Sequence, residues 1–365
     1  MVRAAAAQRG DGPGATVRIV DGTGPTAHPT WDGRDDVGDV VPDGTYRITL
    51  AAYDAAGNRV ARSFDVVVDT RRPVVPVTAP TTLSPNGDRV ADTAAIGWTS
   101  DETASGTVSV LRGTTVLRRW TVTASTGSTI IWDGRTTSGA SVSDGAVRVR
   151  VAVRDRAGNL TTTDRIVTVD RTLGFPAWSR HFYPQDRDTL AATSTISFRL
   201  ARSAVVSMRI VAADGRVVRT IWTGRSMTAG AKRWTWDGRI TGGALAAPGR
   251  YQAVVTARSS VGTSELRRWV VADAFLVTAP ATVSSGTSFT LRVTTVEALS
   301  VRPTATLAQS GKPAVTKTVT RLADGSYAVS FTAASGLTGV ATVTISAKDS
   351  GGRTNTTVVR LSVTG

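Results

Sequence analysis

The segment 84–93 carries the side chains best suited to hold a metal ion. Asn86, Asp88 and Asp92 place oxygen atoms at alternate positions around a glycine turn, and Ca²⁺ prefers hard oxygen ligands of this kind. An EF-hand loop has more carboxylates and a glutamate, and Arg89 brings a positive charge into the segment. A loop held by hydrogen bonds from its own Asn and Asp side chains uses the same residues. We therefore assign no metal site here, and calcium binding by these three residues stays an open alternative.

Residues for other chemistry are scarce. His28 and His181 are the two histidines and the chain has no cysteine, which argues against a histidine-based triad and against a zinc site. No nucleophile–base pair and no pair of carboxylates recurs at a fixed spacing. We therefore predict a protein that is not an enzyme, with no catalytic residue, no cofactor and no metal.

Arginine dominates a strongly basic composition, with a net charge of +15 and a pI of about 11.2. Arg148, Arg150 and Arg154 alternate along one predicted strand and so share a face. Such a surface attracts anionic cell-wall polymers or acidic glycans, and a solvated strand face is the alternative. The excess of basic over acidic residues lies mainly in residues 172–274 and is small elsewhere, so nucleic-acid binding is not predicted. That stretch adds Arg199, Arg202, Arg209, Arg216 and Arg219.

A repeat organises these residues. The tetrapeptide Trp-Asp-Gly-Arg begins at Trp31, Trp132 and Trp236, which are 101 and 104 residues apart. A unit of about 100 residues is the size of one β-sandwich domain. The sequence after each tryptophan stays in register without gaps. The matching positions are Asp43-Gly44, Asp144-Gly145 and Pro248-Gly249, then Tyr46, Val147 and Tyr251, then Gly57-Asn58, Gly158-Asn159 and Gly262-Thr263.

The repeat also indicates its local structure. Residues 46–53 and 147–151 alternate between apolar and polar, which predicts half-buried strands. Residues 54–58 and 155–159 carry the Gly-Asn pairs of hairpin turns. We predict an all-β chain of tandem immunoglobulin-like or fibronectin-III-like β-sandwiches, joined by short linkers into an elongated rod.

The signature residues have structural roles in this fold. A tryptophan at a fixed place before a turn fits a core residue that seals the sandwich, although an exposed tryptophan also stacks on sugars. Asp32, Asp133 and Asp237 are then expected to accept backbone N–H groups of the turn. A tyrosine corner is expected where a tyrosine follows Gly-x, at Tyr46, Tyr251 and Tyr327.

The pattern W-D-G-R, followed by a D/P-G-x-Y turn and by A-x-D-x-A-G-N, resembles the Ig-like domain of the flagellar hook-capping protein. Similar domains occur in tandem in the tails of secreted bacterial proteins. The resemblance covers roughly residues 15–272 and implies the fold without a ligand. Hook-capping proteins carry one such domain, whereas the pattern recurs here, so a flagellar role is not predicted.

Four modules follow from the repeat: module one (1–72), module two (73–171), module three (172–274) and module four (275–365). Module one is predicted to begin near Ala15, without its opening strands, which suggests that the chain continues a longer one. Module four lacks tryptophan but keeps 324–327 and a late turn at 347–352, as in a related Ig-like subfamily.

The composition and the repeat together predict a function class. We expect a non-catalytic spacer or anchoring region of a larger secreted or cell-surface bacterial protein, whose partner is an N-terminal catalytic or adhesive domain. The alternative is an adhesin-type module for anionic cell-surface polymers or glycans. No apolar run reaches the roughly 18 residues of a membrane span, so membrane insertion is not predicted.

Overall fold

The structure is a computed structural model that describes residues 2–9, 16–20 and 30–365. The chain divides into two compact units, one of Met1–Thr81 with Thr93–Val167 and one of Thr82–Asp92 with Thr168–Gly365. The second unit holds modules three and four and also the loop that sequence analysis placed in module two. The four module ranges stay predictions and serve below as names. His28 lies outside the described residues.

Module one contains a four-stranded antiparallel sheet in the order β2-β1-β3-β4. The sequence placed its first strand near Ala15, but β1 begins earlier and pairs with both β2 and β3. An alanine run is a poor strand former, so periodicity gave no signal there. The strands are β1 (Val2–Arg9), β2 (Thr16–Val20), β3 (Gly44–Tyr53) and β4 (Arg59–Val68).

Module two is built on two long strands. The pairing of β7 (Ala94–Arg112) with β8 (Thr115–Trp132) shifts register on both sides of Ala104, so residues 94–99 and 105–112 correspond to two separate strands of module three. Along β9 the inward valines at 147, 149, 151 and 153 are at most 1% exposed, which confirms the predicted alternation. The strands are β5 (Val77–Thr78), β6 (Thr82–Leu83), β7 (Ala94–Arg112), β8 (Thr115–Trp132), β9 (Gly145–Arg154) and β10 (Leu160–Val169).

Module three packs two antiparallel sheets, β11-β12-β15 and β14-β13-β16-β17, around one apolar core. A short 3₁₀ helix, η1 (Pro184–Asp186), lies between β11 and β12. The strands are β11 (Leu173–Trp178), β12 (Ser194–Leu200), β13 (Ala204–Ala212), β14 (Val217–Met227), β15 (Gly230–Trp236), β16 (Gly249–Arg258) and β17 (Thr263–Ala272).

Module four is also a two-sheet sandwich, with the orders β18-β20-β24-β23 and β19-β26-β25-β21-β22. Its strands are β18 (Phe275–Thr278), β19 (Thr282–Ser284), β20 (Ser288–Thr295), β21 (Thr304–Ala308), β22 (Val315–Thr318), β23 (Thr320–Arg321), β24 (Tyr327–Thr332), β25 (Gly339–Lys348) and β26 (Thr354–Thr364). The all-β fold predicted from the sequence is confirmed. No helix in the described residues is long and apolar enough to cross a membrane.

Candidate metal centre

The tryptophan, aspartate and arginine side chains of the Trp-Asp-Gly-Arg signature each make a hydrogen bond inside their own turn, and Asp237 also accepts one from Arg219. The tryptophan Nε1 donates to the carbonyl of the signature arginine at 2.7, 2.9 and 2.9 Å in modules one to three. The aspartate Oδ1 accepts that arginine's backbone N–H at 3.1 Å in all three, as predicted for Asp32, Asp133 and Asp237. The guanidinium donates to a glycine carbonyl four residues on, at 2.7, 2.8 and 2.6 Å. The signature therefore fixes a turn.

The signature tryptophans form part of the core in two modules. Trp132 and Trp236 are fully buried, which confirms the prediction for both. The Trp236 ring lies 5.2 Å from the Phe182 ring and 5.1 Å from the Tyr251 ring. Trp31 differs, since it is only half-buried beside the small module-one core and has Tyr46 at 5.3 Å. No aromatic ring in the position of Phe182 covers it among the described residues.

Two of the three predicted tyrosine corners are present. Tyr46 donates its hydroxyl to Pro42 O at 2.8 Å, and Tyr251 donates to Ala247 O at 2.6 Å. Both bonds tie the start of a strand to the turn four residues before it. Tyr327 is half-buried against the module-four core.

The loop proposed from sequence as a calcium alternative uses its oxygens on backbone N–H groups. Asn86 Oδ1 accepts the N–H of Asp88 at 3.0 Å, and Asp88 Oδ2 accepts the N–H of Phe175 at 2.6 Å. The Asp92 carboxylate accepts three further N–H groups. These bonds match the loop held by its own Asx side chains, and they leave few oxygens for an ion.

A different group of acids converges in the second unit. Asp186, Asp188, Glu297 and Asp349, the acidic cluster, each place a potential ligand oxygen within 4.8 Å of the others. The first two belong to η1 and the turn after it in module three. Glu297 follows β20, and Asp349 opens the turn between β25 and β26 in module four. Glu297 is 5% exposed and Asp349 is 0% exposed. Ligands from three separate segments therefore meet in a buried place.

Each carboxylate of the cluster has one satisfied oxygen and one without a donor. The satisfied oxygens accept Asp188 N at 3.2 Å, Leu190 N at 2.6 Å, Arg353 N at 2.9 Å and Asn355 Nδ2 at 2.7 Å. The remaining oxygens are buried and have no hydrogen-bond partner among the described residues. They are Asp186 Oδ2, Asp188 Oδ2, Glu297 Oε1 and Asp349 Oδ2. The loops thus hold the carboxyl groups in place and leave four acceptors unused.

The cluster carries an electrostatic cost. Burial raises the pKa of Glu297 from 4.5 to about 8, and the charges of Asp186, Asp188 and Asp349 add to the rise while a hydrogen bond from Asn355 opposes it. Burial also raises the pKa of Asp186, with Asp188 and Asp349 again contributing. Carboxylates at this spacing resist simultaneous ionisation unless a positive charge joins them.

A second acidic group, Asp69, Glu102 and Asp155, lies in the first unit. Its aspartate at the β9–β10 turn is already satisfied, because Asp155 accepts Gly158 N at 2.7 Å and Asn159 Nδ2 at 2.8 Å. Despite the cost of burial, these and related hydrogen bonds lower the pKa of Asp155. This group therefore lacks the unused buried oxygens of the acidic cluster.

The arginine face predicted on module two is partly neutralised. Arg150 donates from Nε and Nη2 to Asp164 at 2.8 Å, and Arg148 lies 3.7 Å from the same carboxylate. The hydrogen bond from Arg150 is the main cause that lowers the pKa of Asp164. Arg154 donates to Gly158 O at 2.7 Å.

The arginines predicted to form a basic surface on module three differ in their ion pairs and in their burial. Arg219 donates to Asp237 at 2.9 Å, and Arg216 lies 3.8 Å from Asp214. Arg199 is exposed, while Arg202 and Arg209 are half-buried. The basic residues therefore do not act as one uniform charged face.

Comparison with known proteins supports the module type. Residues 186–260 match the family model of the FlgD Ig-like domain, which is the domain that the repeat resembles. No curated protein shows significant sequence similarity to the chain. Dimeric latent PorU from Porphyromonas gingivalis is 12% identical at a TM-score of 0.22, covering 73% of this chain and 28% of PorU. A protein described as membrane anchored, from Corynebacterium diphtheriae, is 8% identical at a TM-score of 0.21, with 89% and 97% covered.

Proposed function

We propose that this chain is a non-catalytic spacer or anchoring region of a larger secreted or cell-surface bacterial protein. The observation that carries the proposal is the use of the repeated signature. The tryptophan, aspartate and arginine of each copy hold one turn, so the residues that recur are those that build the module. The match of module three to the FlgD Ig-like domain, a structural module type, agrees with this role.

The described histidine also supports a non-catalytic role. His181 Nδ1 accepts the backbone N–H of Val271 at 3.0 Å, so this nitrogen is bonded to the fold. Desolvation lowers the pKa of His181, which favours the neutral ring that such an acceptor requires. A general base needs a nucleophile within hydrogen-bond reach, and His181 has none among its hydrogen-bond partners in the described residues.

Adhesion to anionic polymers is the second candidate, and arginine–tryptophan pairs on module three favour it. The guanidinium carbons of Arg225 and Arg250 lie 5.9 and 4.9 Å from the ring centroids of Trp222 and Trp269. Trp269 is 40% exposed. A guanidinium beside an exposed aromatic ring offers both charge and a stacking surface to an acidic sugar.

A binding assay with the whole chain separates the two functions. Immobilised wall teichoic acid is titrated with wild type, with Arg225→Gln/Arg250→Gln, and with a control, Arg59→Gln/Arg62→Gln, that removes equal charge from exposed sites of module one. The structural proposal predicts no saturable binding by any of the three at about 150 mM salt, where exposed charges are screened beyond about 8 Å.

The adhesin candidate predicts a different result. Binding would be saturable, would weaken steeply as salt rises, and would be lost in the Arg225→Gln/Arg250→Gln variant while the control retains it. That outcome would replace the spacer proposal with adhesion.

A further inference from the structure

The loop that holds Asp186 and Asp188 repeats the loop of module two that follows Ser84. In each loop an Asx side chain accepts the N–H group two residues ahead, and a backbone N–H at the start bonds to the carbonyl of an alanine with positive φ. The two loops therefore share these hydrogen bonds, although the later loop is one residue longer and contains η1. The equivalent pairs are Asn86 and Asp186, Asp88 and Asp188, and Ala91 and Ala191.

The side chains of the later loop are more negative and less satisfied. An amide at Asn86 becomes a carboxylate at Asp186. Asp88 Oδ2 accepts the N–H of Phe175 at 2.6 Å, whereas the equivalent Asp188 Oδ2 has no donor among the described residues. Loops with the same pattern of Asx hydrogen bonds thus leave no unused oxygen on Asp88 and one unused oxygen on Asp188.

The module that follows each loop also differs in charge, and the later module is again the more negative one. Arg202 of module three and Glu297 of module four occupy equivalent places, because each comes after a residue whose N–H bonds to the carbonyl just before the opening strand of its module. Where module three has an arginine, module four has a carboxylate. The bonds that define the equivalence are Ala201 N to Thr172 O at 2.9 Å and Val296 N to Ala274 O at 3.1 Å.

Unpaired carboxylates are expensive to bury. Each loses its hydration, and the neighbouring charges repel it, unless a cation or a proton compensates. Glu297 and Asp349 are more than nine-tenths buried, and each has an oxygen without a donor in the described part of the chain. One shared proton would satisfy one pair of oxygens and leave the other pair. A cation satisfies all four at once.

We propose that Asp186, Asp188, Glu297 and Asp349 bind one Ca²⁺ ion that links module three to module four. The ligand set contains only oxygen, which excludes the nitrogen and sulfur donors that Zn²⁺ favours. Ca²⁺ accepts six to eight oxygens in a flexible geometry, whereas Mg²⁺ needs a near-ideal octahedron and keeps several waters.

The buried side-chain amide of Asn355 offers the ion one more oxygen ligand. Asn355 donates from Nδ2 to Glu297 Oε2 at 2.7 Å, and its own Oδ1 is buried without a partner among the described residues. Gly351 keeps the wall of the site narrow, because a Cβ at this position would lie 3.1 Å from Asp188 Oδ2 and 3.3 Å from Asp349 Oδ1. Both features belong to module four, so the module supplies more than its two acids.

The inference goes beyond the spacer proposal and rests on the geometry of the second unit. Two ligands lie in module three and two in module four, so the ion would oppose separation of the modules. Binding to the folded state raises stability in proportion to the logarithm of free calcium above the dissociation constant. The two proposals fail separately. A result for binding to wall polymer tests only the spacer role, and a result for calcium binding tests only the acidic cluster.

The test uses the whole chain after treatment with a chelator and dialysis. Titration calorimetry at pH 7.5 is expected to show one Ca²⁺ per chain, with Mg²⁺ far weaker. Scanning calorimetry is expected to show that calcium raises the transition of the second unit and leaves that of the first unit in place.

Two isosteric variants identify the ligands. Glu297→Gln and Asp349→Asn are expected to lose calcium binding at least tenfold, whereas Asp88→Asn, at the equivalent of Asp188 in the earlier loop, retains it. Without calcium, Asp349→Asn should melt at or above the wild-type temperature because it removes a repelling charge. Glu297→Gln should melt close to wild type, because a carboxyl with a pKa of about 8 is already largely neutral at pH 7.5. A variant that merely damaged the fold would melt lower with and without calcium.

The proposal has clear opposing outcomes. The calcium site would be ruled out if titration with millimolar Ca²⁺ released no heat of binding and left the melting transition of the second unit unchanged. Protons shared between the carboxylates would then explain how the cluster is buried. Calcium binding that survives in the double variant Glu297→Gln/Asp349→Asn would place the ion elsewhere.

Discussion

Trp236→Ala is expected to lower the free energy of unfolding of the second unit by about 3–5 kcal/mol, the usual cost of truncating a large buried aromatic side chain. The ring is fully buried and contacts Phe182 and Tyr251 at centroid distances of 5.2 and 5.1 Å. The change also leaves the Arg239 carbonyl without the indole N–H that it accepts at 2.9 Å. A single domain has about 5–15 kcal/mol of stability, so the loss is a large part of the whole.

Chemical denaturation and scanning calorimetry of the whole chain measure this loss. Trp269→Ala is the matched control, since Trp269 lies in the same module at 40% exposure and its removal should cost far less. Trp132→Ala should move the transition of the first unit instead, because Trp132 is buried there. Unchanged stability in Trp236→Ala with loss of binding to a sugar ligand would contradict the core role.

The sequence predicted the features that each module builds from neighbouring residues. The register after each tryptophan indicated strands of modules one and two, at 46–53 and 147–151, and the D/P-G-x-Y spacing indicated the corners of Tyr46 and Tyr251. These contacts join residues a few positions apart, so their spacing is visible in one sequence. Trp31 was predicted as core by the same spacing, but burial also depends on what covers the outer face of the ring. In module three that cover comes from Phe182, 54 residues before the tryptophan.

The acidic cluster could not be assembled from the sequence. Asp188 and Asp349 are 161 positions apart, and their meeting depends on how module four packs within the second unit. The sequence pattern singled out neither Asp186 nor Asp188 as a ligand. It marked Asp349 as a turn residue, and nothing singled out Glu297. A useful signal was nevertheless present, because two equivalent positions change toward negative charge in the later modules, from Asn86 to Asp186 and from Arg202 to Glu297.

The signature turn and the acidic cluster are joined by one contact within module three. Gly238 of the Trp-Asp-Gly-Arg turn packs against Pro184, and a Cβ built on it would lie 2.2 Å from Pro184 Cγ. Pro184 begins η1, and η1 ends at Asp186. The turn that seals the core therefore also sets the position of the loop that supplies two carboxylates. The Trp-Asp-Gly-Arg turn, which recurs in three modules, therefore helps to position the acidic cluster, which occurs once in the described residues.

Gly238→Ala is consequently expected to affect both stability and calcium binding. Its φ of +76° costs an L-residue about 1–2 kcal/mol, and the contact with Pro184 adds about 1–3 kcal/mol of overpacking. Gly242→Ala is the control in the same module, since Gly242 has a φ of +91° and a Cβ there would meet nothing within 4 Å. Chemical denaturation should show a smaller loss for the control, and calcium titration should show weakened binding for Gly238→Ala alone. Equal losses in the two variants would mean that Pro184 moves aside without cost, and the link between the turn and the acidic cluster would then be absent.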